Sequence, residues 1–211
     1  ETEKARLVAL CERQQVPLIE DDTYGALTDD DTPLAAAKSW DATGNVIYCS
    51  SMHKTLAPGM RLGWLLGGRW KARIAMLKFA QSRPNEPLAQ MAVAEFMGSR
   101  AYDRHLSRLR RQLKMQRDQT AETIAAHFPP GTRLSVPQGG MLLWVEMPDG
   151  RSGMEVFEAA LRQGIRVAPG AMFSNGARYN HFLRISCGQR TTPEITHALQ
   201  TLARIVGERP R

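Results

Sequence analysis

The pattern of apolar and polar positions divides the chain into two parts. Residues 1–15 carry apolar side chains at helical spacing among charges, which predicts an amphipathic helix. Three apolar runs, at residues 16–19, 45–51 and 61–68, predict buried strands. An Asp-, Pro- and Gly-rich stretch at 29–44 predicts a loop. Helical patterns occupy 69–82, 87–99 and 100–127. This alternation of strands and helices predicts an α/β layer.

The pattern changes after the Pro-Pro-Gly break at residues 129–131. Two strands around a Gly-rich turn are predicted within 133–148, and further strands at 165–170 and 181–188. A helix with Ser152 as its N-cap should end near Gly164, and a closing helix is predicted over 191–209. We therefore predict an α/β part over residues 1–98, a linking helix over 99–128, and a small α+β domain over 129–211.

Composition narrows the class of protein. Hydrophobic residues make up 43% of the chain and charged residues 23%, as in ordinary globular proteins. No apolar run is long enough to span a bilayer, and no signal-peptide pattern is present. The three cysteines are far apart, without metal-ligand or disulfide spacing, so a cytoplasmic location is expected. The chain begins without Met inside a helical pattern, so we expect a preceding segment.

Basic residues are concentrated between positions 100 and 117, and the net charge of the whole chain is +7. A helix with a solvated basic face explains this segment. A nucleic-acid surface is the alternative, although the segment has no interleaved aromatics and no groove-reading motif.

Lys54 is the first residue whose position in the chain indicates a role in chemistry. It comes after a buried strand, and partial loss of water around such an amine makes it a better nucleophile. Aldehyde cofactors use an amine of this kind to form a Schiff base. Ser50 and Ser51 precede it and can donate hydrogen bonds to a phosphate. Pro58-Gly59 makes a tight turn that should bring Arg61 back beside Ser51.

Two other positions fit the same chemistry. Asp21 ends a strand three residues before Tyr24, and a carboxylate there can keep a pyridine nitrogen protonated; a turn or a helix cap is the alternative reading of this acidic cluster. Arg184 interrupts an apolar strand, and a half-buried guanidinium needs an anion. That anion is either a ligand carboxylate or a side chain of the protein.

Three motifs, taken in order along the chain, resemble those of the aspartate aminotransferase superfamily, the fold-type-I pyridoxal 5'-phosphate enzymes. They are D-x-x-Y, then S-x-x-K followed by P-G-x-R, and a late L-R-I-S. The resemblance implies that Lys54 forms the Schiff base with the cofactor. It implies that Asp21 pairs with the pyridine nitrogen and Tyr24 with the phenolic oxygen. Ser51 and Arg61 would hold the phosphate, and Arg184 would hold the α-carboxylate of an amino acid.

The sequence departs from that family in two respects. Many members have Ser immediately before the lysine, where this chain has His53, which removes one phosphate donor or alters the surroundings of the ring. The family's upstream elements, a glycine-rich helix N-terminus, a ring-stacking aromatic and an Asn, are absent. The chain therefore resembles the C-terminal part of the fold: the end of the large α/β domain and the whole small α+β domain. Family members are homodimers, so dimerisation is implied as well.

Among family members, the segments "LIEDDTYGAL", "CSSMHKTLAPGMRLGW" and "VAPGAMFS" resemble most the aminotransferase-like domain of MocR-type regulators of the GntR superfamily. The expected function is then an effector domain that binds pyridoxal phosphate and an amino acid or amine. DNA would be bound only through an upstream winged-helix domain. A free-standing aminotransferase is the alternative, and an interaction module with a dead site is a third reading. The site residues are common to the first two readings, so the sequence leaves catalytic turnover open.

Overall fold

The computed structural model describes residues 2–30 and 34–208. These residues form two compact units, one ending at Arg110 and the other beginning at Arg111. Of the predicted loop at 29–44, residues 31–33 lie outside the described residues, and Ala37–Trp40 form a 3-10 helix. Residues 1 and 209, the outer ends of two predicted helices, also lie outside them.

The first unit is built on a three-stranded sheet. Its strands β1 (Leu18–Asp21), β2 (Val46–Ser51) and β3 (Gly63–Leu66) lie in the order β1-β2-β3. β1 and β2 are parallel, and β3 is antiparallel to β2. The helices of this unit are α1 (Thr2–Arg13), α2 (Lys71–Ser82), α3 (Pro87–Met97) and the first part of α4 (Arg100–His127). The predicted strands and helices are confirmed.

Burial of the first sheet differs from the prediction. Val8 of α1 packs with Val46 and Leu18, so one face of the parallel pair is covered. Successive residues of a strand point to opposite faces, and Ile19, next to Leu18, is 67% exposed. All four residues of β3 are exposed. The prediction that β1 and β3 are buried strands is therefore wrong, because β1 is covered only on the face of Leu18 and both faces of β3 are exposed.

The beginning of β2 is fixed by a buried carboxylate. The Asp41 side chain is 1% exposed and accepts a hydrogen bond of 2.6 Å from Lys38 Nζ. It also accepts the backbone N–H groups of Asn45 and Val46, at 2.8 and 2.9 Å. Burial acts to raise the pKa of Asp41, but these donors outweigh it and hold the pKa below its usual value. All these donors favour the charged form of Asp41. Their hydrogen bonds hold the loop before β2 in contact with the start of the strand.

Helix α4 carries the basic segment, and its arginines fall into two groups. Arg100, Arg104 and Arg108 are exposed, as a solvated basic face requires. Arg110 and Arg117 are only 8% and 3% exposed. Arg110 Nε donates to the carbonyl oxygen of Ala26, and an Arg117 terminal nitrogen donates to that of Gly140, at 2.8 and 3.0 Å. Arg110 and Arg117 therefore stabilise the fold through backbone contacts and do not belong to the solvated basic face.

The second unit packs three helices, the last part of α4 and two further helices, on an antiparallel sheet. Strands β4 (Arg133–Leu134), β5 (Leu142–Glu146), β6 (Ala168–Pro169) and β7 (Phe182–Ser186) lie in the order β4-β5-β7-β6. Helices α5 (Gly153–Leu161) and α6 (Pro193–Gly207) begin at the N-caps Ser152 and Thr192. The Ser152 hydroxyl accepts the Glu155 N–H at 3.3 Å, which confirms the predicted cap.

Most of the buried apolar side chains belong to this second unit. The cluster includes Val145, Leu183 and Ile185 from the sheet, Val156 from α5 and Leu202 from α6. Each fully buried side chain of this kind contributes about 1.5–3 kcal/mol relative to exposure. Among the residues that the structure describes, no helix has the length and apolarity needed to cross a lipid bilayer.

Candidate functional site

The predicted site residues of the first unit gather at the carboxyl end of the parallel strand pair. Asp21 is the last residue of β1 and Ser51 is the last residue of β2. Asp21 is the register partner of Cys49, and Cys49 and Ser51 lie two residues apart, so all three side chains lie on one face of the sheet. Ligands of open α/β sheets bind at such an edge.

Lys54 lies on the turn immediately after β2. Its neighbours Met52 and Thr55 are buried, at 1% and 4% exposure, and hold the turn against the unit. The N–H groups of Leu56 and Ala57 both donate to the Met52 carbonyl oxygen, at 3.0 and 3.1 Å. The backbone around Lys54 is thus fixed while its side chain stays partly accessible.

Tyr24 is close to this lysine. The Lys54 Nζ atom lies 5.7 Å from the centroid of the Tyr24 ring. An ammonium group within about 6 Å of an aromatic ring is in the range of a cation–π contact. The structure therefore brings together the amine and the phenol that the sequence places 30 residues apart.

Asp21 and Asp22 have different surroundings. Asp21 is exposed, and its Oδ1 atom accepts the Thr23 N–H at 3.1 Å. Asp22 lies on the other face, where its Oδ2 atom accepts the Tyr48 hydroxyl at 2.8 Å. Asp21 therefore has acceptor capacity left for a ligand, whereas the Asp22 carboxylate is engaged with the protein.

The Asp22 contact also involves Tyr48 and Gly25. Burial, together with the hydrogen bond to Asp22, raises the pKa of Tyr48 to about 12. A Cβ atom on Gly25 would collide with the Asp22 carboxylate, which occupies the space that any larger residue at position 25 would need. Sequence reasoning missed this trio; the Gly immediately after Tyr24 is the one signal that pointed to a close approach.

Arg61 stands near the end of the hairpin that joins β2 to β3. The Met52 N–H donates to the Leu62 carbonyl oxygen at 3.0 Å, and Gly63 is the register partner of Ser51. The chain therefore returns to Ser51 just after Arg61. A Cβ atom on Gly63 would lie 2.7 Å from the Ser50 carbonyl oxygen, so this close approach of the two strands requires glycine.

His53, the departure from the family pattern, has an unsatisfied ring nitrogen. Its Nδ1 atom is buried and has no hydrogen-bond partner among the described residues, and the same is true of the Thr55 hydroxyl. The Thr55 carbonyl oxygen lies 2.7 Å from His105 Nε2. A buried polar atom without a partner is costly, so these two atoms are unsatisfied polar groups on the turn that carries Lys54.

Arg184 belongs to the second unit and lies in the middle of β7. Its neighbours Leu183 and Ile185 point into the core, at 0% and 5% exposure, so Arg184 points to the opposite face. The guanidinium carbon lies 4.4 Å from the centroid of the Phe173 ring. Within residues 2–30 and 34–208, Arg184 makes no hydrogen bond or ion pair through its side chain. An internal ion pair, one reading of this residue, is thus not formed in the described part of the chain.

The fold is that of a pyridoxal-phosphate-dependent transferase domain, and comparison with known proteins identifies the family. The model of the family "Aminotransferase class I and II" matches residues 2–202. The chain belongs to this family, which confirms the resemblance seen in the sequence.

Regulators and enzymes are both found among the relatives. The Escherichia coli HTH-type transcriptional regulator YdcR is 34% identical over 206 residues, which cover 98% of this chain and 44% of YdcR. Aromatic-amino-acid aminotransferase 1 of Thermococcus litoralis is 25% identical over 99% of this chain and 50% of that protein. The chain thus spans about half the length of the curated relatives that it matches.

A solved structure confirms the fold. The Pyrococcus horikoshii kynurenine aminotransferase, crystallised in complex with PMP, superposes with a TM-score of 0.88 at 26% identity. The match covers 98% of this chain and 51% of that enzyme. The chain therefore has the fold-type-I aminotransferase architecture over the matched half.

Proposed function

We propose that this chain is the pyridoxal-phosphate-binding effector domain of a bacterial transcriptional regulator. The observation that carries the proposal is the match to YdcR, which covers 98% of this chain but 44% of the regulator. Four further relatives between 27% and 34% identical are also HTH-type transcriptional regulators. In this proposal, DNA is bound by another segment of the same protein.

The side chains at the carboxyl edge of the first sheet suit this cofactor. They offer an amine, a phenol, a carboxylate that can accept further hydrogen bonds, a hydroxyl and a guanidinium. When bound, pyridoxal phosphate supplies an aldehyde and an electron-withdrawing ring. Lys54 would attach the aldehyde, Asp21 would hold a proton on the ring nitrogen, and Tyr24 would donate to the phenolic oxygen. Ser51 and Arg61 would hold the phosphate.

Arg184 would bind the carboxylate of an amino-acid ligand. Its guanidinium contacts an aromatic face rather than a protein anion, so its N–H groups stay available for a two-point contact with a planar carboxylate. The ligand class proposed is therefore an amino acid rather than a simple amine.

A second candidate function is transamination by a free-standing enzyme. The match to the Thermococcus litoralis aminotransferase over 99% of this chain favours it. Both functions use the same residues, so they differ in the outcome of ligand binding: a change in DNA affinity, or repeated turnover.

Titrating the full-length protein with an amino acid separates the two functions. A regulator should bind a fragment of its own promoter, measured by fluorescence anisotropy, with an affinity that changes when pyridoxal phosphate and the amino acid are added. An aminotransferase should instead convert a 2-oxo acid through many turnovers without binding DNA. Turnover without DNA binding would contradict the regulator.

We also propose that the protein is a cytoplasmic homodimer, with domains at 1–98 and 129–211 joined by a helix over 99–128. Apolar side chains on α2 and α3 support association, since Phe79 is 61% exposed and Met91 is 70% exposed. Light scattering of the full-length protein after size exclusion tests this state, and a monomer at micromolar concentration would contradict it.

A further inference from the structure

Aromatic side chains surround Arg184 on the face of the second sheet that points away from the core. The guanidinium carbon lies 4.4 Å from the centre of the Phe173 ring. Trp144 is the register partner of Arg184 across β5 and β7. It also meets Phe173 edge to face, with centroids 5.5 Å apart and an interplanar angle of 79°. The ring under the arginine is therefore itself supported by a ring on the neighbouring strand.

Trp144 is in turn held from two sides. It stacks on Phe182 of β7, with centroids 5.3 Å apart and planes at 17°. Tyr179 meets it edge to face, at 5.4 Å and 86°. Such aromatic pairs prefer these offset and edge-on geometries. The support for Phe173 thus comes from side chains on two strands and on the segment between β6 and β7.

We propose that Phe173 is a positioning residue for Arg184, and that it orients the guanidinium for a ligand carboxylate. The inference rests on the proposed role of Arg184. An arginine side chain has many rotamers, and a fixed ring beneath its flat face reduces the orientations that a ligand must select. A protein carboxylate could also orient it, but would occupy the same N–H groups that the ligand needs. An aromatic face leaves those donors free.

The inference predicts a carboxylate-specific effect. Phe173 is 40% exposed and absent from the buried core cluster, so replacing it should leave the unit folded. Losing the ring should weaken ligands in proportion to their use of Arg184. An amine that lacks a carboxylate should not detect the change.

The test uses full-length protein loaded with pyridoxal phosphate. The cofactor absorbance is titrated with L-phenylalanine and with 2-phenylethylamine, which differ only in the carboxylate. Phe173→Leu should weaken L-phenylalanine about three- to ten-fold and 2-phenylethylamine less than about two-fold, the scale of a cation–π contact. Phe173→Tyr keeps an aromatic face and should restore L-phenylalanine binding. Trp70→Leu is the matched control, because Arg69 lies 5.0 Å from the Trp70 ring in a similar contact on the first unit.

Arg184→Lys separates failure of this inference from failure of the proposed function. If Arg184→Lys weakens L-phenylalanine selectively but Phe173→Leu does not, the positioning role is wrong and the carboxylate role stands. Equal weakening of both ligands by Phe173→Leu also overturns the positioning role. If Arg184→Lys leaves L-phenylalanine unchanged, the carboxylate role itself is wrong and Phe173 has nothing to position. In the Arg184→Lys background, Phe173→Leu should add no selective loss.

Discussion

Replacing Asp22 with alanine should destabilise the first unit, whereas replacing the adjacent Asp21 should impair the cofactor site without that loss of stability. The two carboxylates lie on opposite faces of the sheet, at the end of β1. Asp22 accepts the Tyr48 hydroxyl at 2.8 Å, and Asp21 accepts one N–H from the exposed turn at 3.1 Å. The pair is therefore a matched test of which face of the strand holds the ligand.

The magnitude is set by the hydrogen bond that Asp22→Ala removes. A hydrogen bond to a charged group contributes about 1.5–3 kcal/mol, and both partners here are half-buried, so we expect a loss near the lower end of that range. Asp21→Ala removes a weak contact in an exposed turn and should cost less than about 1 kcal/mol. Tyr48→Phe removes the donor of the same bond, and its cost should not add to that of Asp22→Ala.

The pH dependence has a defined sign. Burial and the bond to Asp22 raise the pKa of Tyr48 from 10.0 to about 12, so the folded state holds the phenolic proton more tightly than the unfolded state. The resulting stabilisation is complete below pH 10.0 and is lost as the pH rises toward about 12. Asp22→Ala should make this loss of stability at high pH smaller, because only burial then raises the pKa of Tyr48.

Urea denaturation of the full-length protein, monitored by tryptophan fluorescence, measures the stability of each variant. A parallel titration with pyridoxal phosphate measures the cofactor site. We expect Asp22→Ala to lower the urea midpoint and Asp21→Ala to weaken cofactor binding at an unchanged midpoint. The reasoning is refuted if Asp22→Ala abolishes cofactor binding at normal stability while Asp21→Ala binds normally, since the ligand would then lie on the other face.

The two units support three further predictions. Arg184→Lys keeps the charge but loses the planar fork, so amino-acid ligands should weaken by about 1.5–3 kcal/mol in titration while amines without a carboxylate are little affected. The folded-state pKa of Asp41 is lowered, so the stabilisation that its carboxylate provides is present above pH 3.8 and is lost as the pH falls through the folded-state pKa. Asp41→Asn should therefore lower the urea midpoint at pH 7 and make the midpoint less dependent on acid pH. An unchanged midpoint would contradict a stabilising role for the hydrogen bonds between Asp41 and Lys38 and the backbone. The 211-residue chain expressed alone should bind pyridoxal phosphate poorly and self-associate, because apolar side chains such as Ile19 and Met91 are 67% and 70% exposed; tight binding by a monomer in light scattering would show the opposite.

Local patterns in the sequence were sufficient to predict the elements and the sheet edge to which the proposed site residues belong. The cap at Ser152 depends on a contact within three residues, so it could be read directly. The common position of Asp21 and Ser51 could be predicted from strands that end together, because parallel strands bring their carboxyl ends to one edge.

Burial and long-range contacts could not be read in this way. The apolar run of β3 has the composition of a buried strand, but burial depends on what covers the sheet, and nothing in the strand encodes that. The contact of Arg184 with Phe173 joins residues on two separate elements through side-chain directions set only by the folded sheet. The Asp22–Tyr48 bond likewise depends on the register of β1 and β2.

The central claim is that Lys54 is the residue that attaches pyridoxal phosphate. The most direct measurement is borohydride reduction of the loaded full-length protein, with proteolysis and mass spectrometry of the labelled peptide. We predict a single phosphopyridoxyl group on Lys54, and loss of both the label and the cofactor absorbance band in Lys54→Ala. A label on another lysine, or a band that persists in Lys54→Ala, would contradict the account.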